Sequence, residues 1–591
     1  MVQPLTIDSI QKNYQADLNW RLRRHPQWTT SYELYRDTVI INRLTQRQSV
    51  NVPYMKKTLK TYLTQTNWPV DNEYEDKGND GQKALFLNAY WTECADRLRL
   101  DILEEVDRKQ EWLYGRSFMK LNIIDGWFDM EVIDPQNVLV DRYANPWNIH
   151  SGRRITHIGI FRTLSDIERN SLFDSAAVQK LRAFFATEQG LILAGQNSLA
   201  AADAARRMTD MGVPDVMNPI VGETYVELNE MQYKSWDDET QQDITMVCVT
   251  ANGNEILMDK PITELLGENL LDILKSYGLA YTWASWAGDV ERTDVWSDGG
   301  ADSVRGLNLV ANARWSQKVE NGTLVNYGMN FYDSTAKEGW TPVGYDPAPF
   351  GFYPLPGAPK DVLQAVQIPE MEDVFNELNF IDSEIQGVSG ATAIESGDTD
   401  PNQQGAQQTA QEIQILADKA KQRAQNVSKY HKRYWEDIGN IFVALVQANG
   451  TDMEKPKLYK KSPKGKYYSK TLDLAKTYSK DGYKVKVGSK ADKESDSLQL
   501  INKLQVADSM FPGNLPLQKI SQQKTLDWLD LTPEETKEVM AFAAQQPQGM
   551  PPNGAPPGMP PGPPGMPPNG PKPPVALPQS QPAQIPQTVA A

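Results

Sequence analysis

Residues 87–140 read LNAYWTECADRLRLDILEEVDRKQEWLYGRSFMKLNIIDGWFDMEVIDPQNVLV, and a change of period inside this stretch sets the fold class. In its first half Leu87, Trp91, Cys94, Leu98, Ile102 and Val106 recur at steps of three or four, which places them on one helix face. After Tyr114-Gly115 the spacing shortens. Phe118, Leu121 and Ile123, then Trp127 to Ile133, then Val138 to Val140, read as short strands, punctuated by Asp134-Pro135 and, further on, by Asn145-Pro146. A chain that switches from helical to strand period in this way is mixed α/β, of the α+β kind. Cys94 sits on the helical stripe and reads as core packing, not as a reactive thiol.

Working outward, the first hundred residues read as helical. A second strand region runs from Thr224 to Met258, and its part from Ile244 to Leu257 breaks at Asn252-Gly253, a hairpin-turn pair. Further on, two helical segments, Ala301–Val319 and Glu370–Val388, flank an insert rich in proline and aromatic residues. Val304, Leu307, Ala311, Trp315 and Val319 share one face of the first, and Phe375, Leu378, Ile381, Ile385 and Val388 one face of the second. Then comes a polar loop, Ser389 to Gly405, with no apolar stripe. Loops of such length are functional or structureless more often than mere connections. Beyond it Ala406 to Ala448 reads as one helix, on the order of 65 Å long at about 1.5 Å per residue. Its Ala-rich stripe asks for a neighbouring helix packed close, in this chain or in another copy.

The chain has 591 residues, a net charge of −16 and 40 % hydrophobic residues, ample for a buried core. Its two cysteines exclude a disulfide scaffold, and its four histidines, without CxxC or HExxH, leave little for a metal site. No run is long and apolar enough for a membrane span, and the N-terminus lacks the order of a signal peptide, so a soluble protein of a reducing compartment is expected. The charge is unevenly placed. Lys455 to Ser495 holds 13 lysines against 4 acids, interleaved with Tyr459, Tyr467, Tyr468, Tyr478 and Tyr483, so the acidic excess belongs to the rest of the chain. An acidic body repels nucleic acid and suits a surface to which DNA must not adhere. Residues 498–544 read as short helices, one of them starting at Thr532-Pro533. The last 46 residues hold 17 of the 39 prolines and read as a disordered or polyproline tail.

The sequence offers no phosphate-binding GxxxxGK[ST] and no GxGxxG after a strand. Gly387-Val388-Ser389-Gly390-Ala391 lacks the last glycine of a nucleophile elbow and follows a helix, not a strand. His150 and His157 are seven apart in a strand-and-loop region, which makes no ligand pair, and they read as surface or core-edge residues. Asp294, Asp298 and Asp302 recur every fourth residue near a helix start, where capping accounts for them. No catalytic residue, metal ligand or cofactor site is therefore expected, and the chain does not read as an enzyme.

The order of segments resembles a known family. Tyr114-Gly115-Arg116-Ser117-Phe118-Met119-Lys120, then Val132-Ile133-Asp134-Pro135, Val138-Leu139-Val140-Asp141 and Phe161-Arg162-Thr163-Leu164, is similar to the wing region of portal proteins from tailed bacteriophages. The later series of helix, aromatic insert, helix, polar loop and long helix is similar to that family's stem, clip, stem, tunnel loop and supporting helix. The resemblance covers roughly residues 1–545 and rests on the order of motifs that are individually short. It implies a portal-like α+β fold with a wing over 1–295, stem helices over 296–320 and 368–388, and a clip over 321–367. It also implies a tunnel loop over 389–405, a long wing helix over 406–449, a Lys-rich wing segment over 450–495, crown-like helices over 496–545 and a tail over 546–591. The implied function is a homo-oligomeric ring, a dodecamer by the family rule, at the head–tail vertex of a virion assembled in the host cytoplasm. Double-stranded DNA would pass through it, with a separate terminase motor, tail adaptor or connector proteins, and major capsid and scaffold proteins as partners. Ser389, Asn402, Gln403 and Gln404 would touch DNA from the tunnel loop, and Trp340, Tyr345, Phe350 and Tyr353 would form the clip's docking surface. Asn308, Asn312, Gln317, Glu377, Asp382 and Glu384 would line the channel, and Lys460, Lys461, Lys464 and Lys466 would meet DNA or a neighbouring subunit. The alternatives are another virion structural protein without a channel, in a tail or internal scaffold, and a hydrolase using Ser389 or an Asp/His pair.

Overall fold

The computed structural model describes residues 5–38, 50–66, 70–78, 81–210, 223–326, 330–332, 363–365, 374–389, 410–455, 457–461, 467–471 and 473–489. All of these belong to one unit, Met1–Ser521. The fold is mixed helix and sheet. The segments expected as crown-like helices (496–545) and tail (546–591), and most of the expected clip and tunnel loop, lie outside the described residues.

The stretch that decides the fold class folds as its period suggests, with one difference. The expected single helix is two, Gly81–Leu98 and Leu100–Tyr114, broken at Arg99, whose φ of 51° is left-handed. The break turns the second helix about its axis, so that Ile102, placed on the apolar stripe by its spacing, is 40 % exposed. The second helix ends at Gly115, with φ of 80°. A Cβ there would stand 1.9 Å from the Ser297 carbonyl oxygen, so both the turn and the close approach require glycine. Strands Ser117–Ile124 and Trp127–Ile133 follow, and Trp283–Trp286 completes a three-stranded antiparallel sheet with Ser117–Ile124 in the middle. A five-stranded antiparallel sheet runs in chain order through Val138–Val140, Arg154–Thr163, Tyr225–Asp237, Gln242–Ala251 and Glu255–Pro261. Its last hairpin turns at Asn252-Gly253 with both φ positive, at 48° and 68°, the backbone that this residue pair favours.

Two apolar cores hold these layers. The larger is built on helix Ala410–Asn449, where Tyr434, Trp435, Ile438 and Ile441 to Val446 are buried on every side of the helix. The rings of Tyr74, Tyr90, Trp91 and Phe128 lie 4.8–5.7 Å from that of Phe442, with Tyr74 and Trp91 5.9 Å apart and Trp91 and Phe128 6.5 Å apart. The neighbour that the long helix was expected to need is, over this half, mostly β-structure: strands Tyr483–Ser489 and Trp283–Trp286, besides the short helix Leu270–Ser276. Cys94 is buried in this core, as its place on the stripe predicts. The smaller core joins helices His25–Tyr35, Tyr54–Gln65, Gly300–Asn326 and Val374–Ser389 around Trp28, Trp112 and Trp296.

Part of the Lys-rich segment has its counter-charge in this same chain. Strand Tyr483–Ser489 pairs antiparallel with Val70–Asp76, setting Lys484 opposite Glu75 and Lys486 opposite Glu73. Lys486 also forms an ion pair with Glu75. The rest of the segment includes an antiparallel ladder of Lys457–Lys461 and Tyr467–Thr471, whose backbone register pairs position 460 with 468 and 461 with 467. Lys464 and Lys466 lie outside the described residues.

Candidate functional site

Helices Gly300–Asn326 and Val374–Ser389 pack against each other through Ala311, Leu378, Ile381 and Ile385, all buried in the smaller core. An ion pair and a ring contact also cross the pair. Arg314 Nε lies 2.9 Å from Glu377 Oε2, and the Trp315 and Phe375 rings meet edge to face at 6.0 Å. The first helix starts with Gly299 as N-cap, whose N–H donates to Asp302 Oδ2 at 2.9 Å. Asp302 therefore caps, as expected from its position. Asp294 accepts from the Trp296 N–H at 2.9 Å, and Asp298 forms an ion pair with Arg24.

The insert between the two helices leaves and returns at one place. Asn330–Tyr332 pairs antiparallel with Leu363–Ala365, so the chain is closed at the base of the insert by a short ladder. Trp340, Tyr345, Phe350 and Tyr353 lie beyond that ladder, outside the described residues, as do Asn402, Gln403 and Gln404. Ser389 is the last residue of the second helix.

The six residues expected to line a channel divide into two groups. Asn308 and Asn312 are 0 % and 1 % exposed and cannot present amide groups to a lumen. Their amides hold segment Val50–Met55 against the helix instead. Asn308 Oδ1 accepts from the Met55 N–H at 2.9 Å, and its Nδ2 donates to the Val52 carbonyl at 3.0 Å. Asn312 Oδ1 accepts from the Val52 N–H at 2.8 Å, and Ser316 Oγ from the Val50 N–H at 2.9 Å. Residues 308, 312 and 316 are one turn apart on a single face, so three side chains serve a segment that has no ladder of its own. The signal was there to read: polar residues at i, i+4 and i+8 beside an apolar stripe. The second group does face outward. Gln317, Glu377 and Glu384 are exposed and Asp382 is half-buried. With Val310 and Phe380, also exposed, and with Arg314 paired to Glu377, they give the pair an outer surface of polar, mainly acidic and scattered apolar groups.

Behind the pair, helix Leu100–Tyr114 carries a set of buried ionisable groups that periodicity did not reveal. Asp107 Oδ1 accepts from Ser117 Oγ at 2.6 Å and from the Tyr434 hydroxyl at 2.8 Å, and its Oδ2 from Trp286 Nε1 at 2.6 Å. One carboxylate thus ties this helix to two strands and to the long helix. One turn on, Glu111 accepts from the Tyr62 hydroxyl and the Gly288 N–H, both at 2.8 Å. Burial pushes Asp107 up to about 6 and Glu111 up to about 7, against the pull of those same hydrogen bonds. Arg116 is buried with its guanidinium on the carbonyls of Val295 and Pro146 and on Ser285 Oγ, and burial lowers it to about 10.

His150, His157 and His431 are interior, not surface, groups. His150 Nδ1 accepts from the Ala280 and Tyr281 N–H groups, both at 3.3 Å, and burial takes it down to about 3. His157 packs against Trp283. His431 accepts from Trp435 Nε1 at 3.0 Å and is lowered to about 3 by burial and then by Arg108. Among the described residues no group of His, Cys, Asp and Glu side chains is placed to hold a metal ion, and no helix is long and apolar enough to cross a membrane.

No family model matches this chain, and no curated protein is significantly similar to it.

Proposed function

We propose that this chain is the subunit of a viral portal, a homo-oligomeric ring at the head–tail vertex through which a separate motor drives DNA and through which DNA later leaves. The observation that carries the reading is the packed helix pair. It has one face anchored in the protein by Asn308, Asn312 and Ser316, an outer face of Gln317, Glu377 and Glu384, and an insert that departs from and returns to its end. In a ring, the outer faces would border the hole. Their acidic and amide groups give a polyanion few sticking points, because like charge opposes the counterion release that drives DNA binding. The insert would then project from one end of the pair as the docking surface for motor and adaptor. The residues proposed to line the channel shrink on this reading to Gln317, Glu377, Asp382 and Glu384, without the buried Asn308 and Asn312.

Sedimentation of the purified full-length chain tests the proposal. A closed assembly of one size, many times the mass of the chain, is the expected result. A monomer at every concentration tried would reject it.

A further inference from the structure

We infer that the cleft between helix Ile7–Leu22 and the five-stranded sheet is a binding site for a small hydroxylated primary amine, its ammonium on Glu227 and its hydroxyls on Thr156, Asn229 and Thr250. The cleft has a volume of about 530 Å³. Small-molecule sites usually measure roughly 300–1,000 Å³. Strand alternation lays its floor. Along Tyr225–Asp237, Val226 and Leu228 belong to the larger core, while Glu227 and Asn229 line the cleft on the other face. Along Gln242–Ala251, Val247 and Val249 take the first side and Thr250 the second. Register sets Asn229 beside Thr250, and Thr156 comes from the adjoining strand Arg154–Thr163. The helix over this floor is fastened on both sides of the cleft. Gln11 Nε2 donates to the Gly253 carbonyl at 3.1 Å and to Asn254 Oδ1 at 3.0 Å, and Arg154 donates twice to Asp17, at 2.6 Å and 3.0 Å. The cleft is therefore formed before any ligand arrives.

A helix that merely sealed this face would meet an apolar floor, yet the floor is polar and unspent. Thr250 and Thr156 are 4 % and 7 % exposed, and neither hydroxyl has a hydrogen-bond partner among the described residues. Asn229, also buried, accepts from the Gly159 N–H at 3.3 Å and keeps its amide N–H groups to give. Buried polar groups are paired as a rule, so these three mark the place of a hydrogen-bonding guest. The charge of the cleft selects the guest. Asp17 is matched by Arg154, whereas the half-buried Glu227 carboxylate has no ion pair or hydrogen bond among the described residues. Burial holds Glu227 above the ordinary value and no cation pulls it back, while the Tyr14 hydroxyl on the helix lies within its field. Lys12 stands exposed at the rim and forms no ion pair among the described residues. An ammonium group has three N–H donors, enough for the carboxylate and the tyrosine oxygen together, and hydroxyls both give to and take from threonine and asparagine. A metal ion is not served, because the cleft brings no group of three His, Cys, Asp or Glu side chains together among the described residues. The site does not rest on the portal reading.

The test titrates the full chain by calorimetry, at pH 7 and constant ionic strength, with two amines, glucosamine and 4-aminobutan-1-ol. Glucose and butane-1,4-diol serve as their neutral counterparts. Saturable binding of one amine per chain is expected, tighter than its neutral counterpart by at least ~10-fold, because the carboxylate adds a charge-assisted bond. Glu227→Gln keeps the shape and removes the charge, so it should abolish that preference. Thr250→Val, nearly isosteric, should weaken amine binding by roughly 3-fold or more and leave the preference in place. It also serves if Glu227→Gln fails to fold. A cleft that holds only water would give no saturable binding of either amine, and that result would overturn the assignment. So would equal binding of amine and neutral counterpart, a preference that survives Glu227→Gln, or binding unchanged in Thr250→Val.

Discussion

Helix Leu100–Tyr114 and the helix pair Gly300–Asn326/Val374–Ser389 are both rich in polar residues, yet they use them in opposite ways. On the first, Glu104, Asp107, Arg108, Gln110 and Glu111 are all buried. On the pair, Gln317, Glu377 and Glu384 stay in solvent, and Asn308 and Asn312 mark the boundary between the two uses. A polar side chain on a helix therefore says nothing of a lumen until its partners are known. Where the partners are fixed protein groups, as for Asp107, the residue is structural and its loss is costly. Where the residue stays exposed and its partner is a neighbouring surface side chain, as Arg314 is for Glu377 and Gln317, its loss costs little and its outer side remains open to something else.

The largest effect should come from Asp107→Ala, which leaves the Tyr434 hydroxyl and the Trp286 N–H without an acceptor in the interior and the Ser117 hydroxyl with only Gln110 Oε1 at 3.3 Å. A loss of about 3–5 kcal/mol is expected in chemical denaturation, with Asp107→Asn losing less. A loss below about 1 kcal/mol would erase the contrast with the pair.

Second comes pH. Asp107 and Glu111 have folded pKa values raised to about 6 and about 7, above those of the unfolded chain. The folded state then binds their protons more tightly, so their contribution is fully present below the unfolded values near 4 and is lost as pH rises through 6 and 7. Their local contribution at pH 5 should exceed that at pH 8 by a few kcal/mol. Glu111→Gln should flatten the slope of melting temperature against pH between 5 and 8, and a slope identical to the parent's would contradict the burial of that charge.

Third, Asn308→Ala removes the acceptor for the Met55 N–H and the donor for the Val52 carbonyl, at a cost of about 1–3 kcal/mol. Proteolysis near residues 50–55 should quicken with it. The smallest effect sharpens the other side: Gln317→Ala and Glu384→Ala should each change stability by less than about 0.5 kcal/mol, because both are exposed.

These differences also explain what the sequence could tell. The switch at Tyr114-Gly115, the Asn252-Gly253 hairpin and the two helices around the insert follow from local chemistry, and local chemistry is legible. The break at Arg99 was not, because a non-glycine residue in the left-handed region gives no turn signal. Asp107 was missed for another reason. In DILEEVDRKQEWLY its charge looks like part of a solvated face, and the groups that bury it, Trp286 and Tyr434, are 179 and 327 residues away. Likewise, the lysines 484 and 486 read as a free basic run until strand pairing brought Glu73 and Glu75 beside them. Of the candidate site, the pairing of the two helices was legible; the spacing of Asn308, Asn312 and Ser316 on one face was legible too, but not the segment Val50–Met55 that they hold, 253–266 residues away.

The proposed ring is tested most directly by electron-microscopic imaging of the purified full-length protein, carried to a resolution that separates helices. Closed rings with a central hole, bordered by the Gln317 and Glu384 faces of neighbouring helix pairs, are the expected result. Compact monomers, or rings whose hole is bordered by other elements while the helix pair lies on the outer rim, would contradict it.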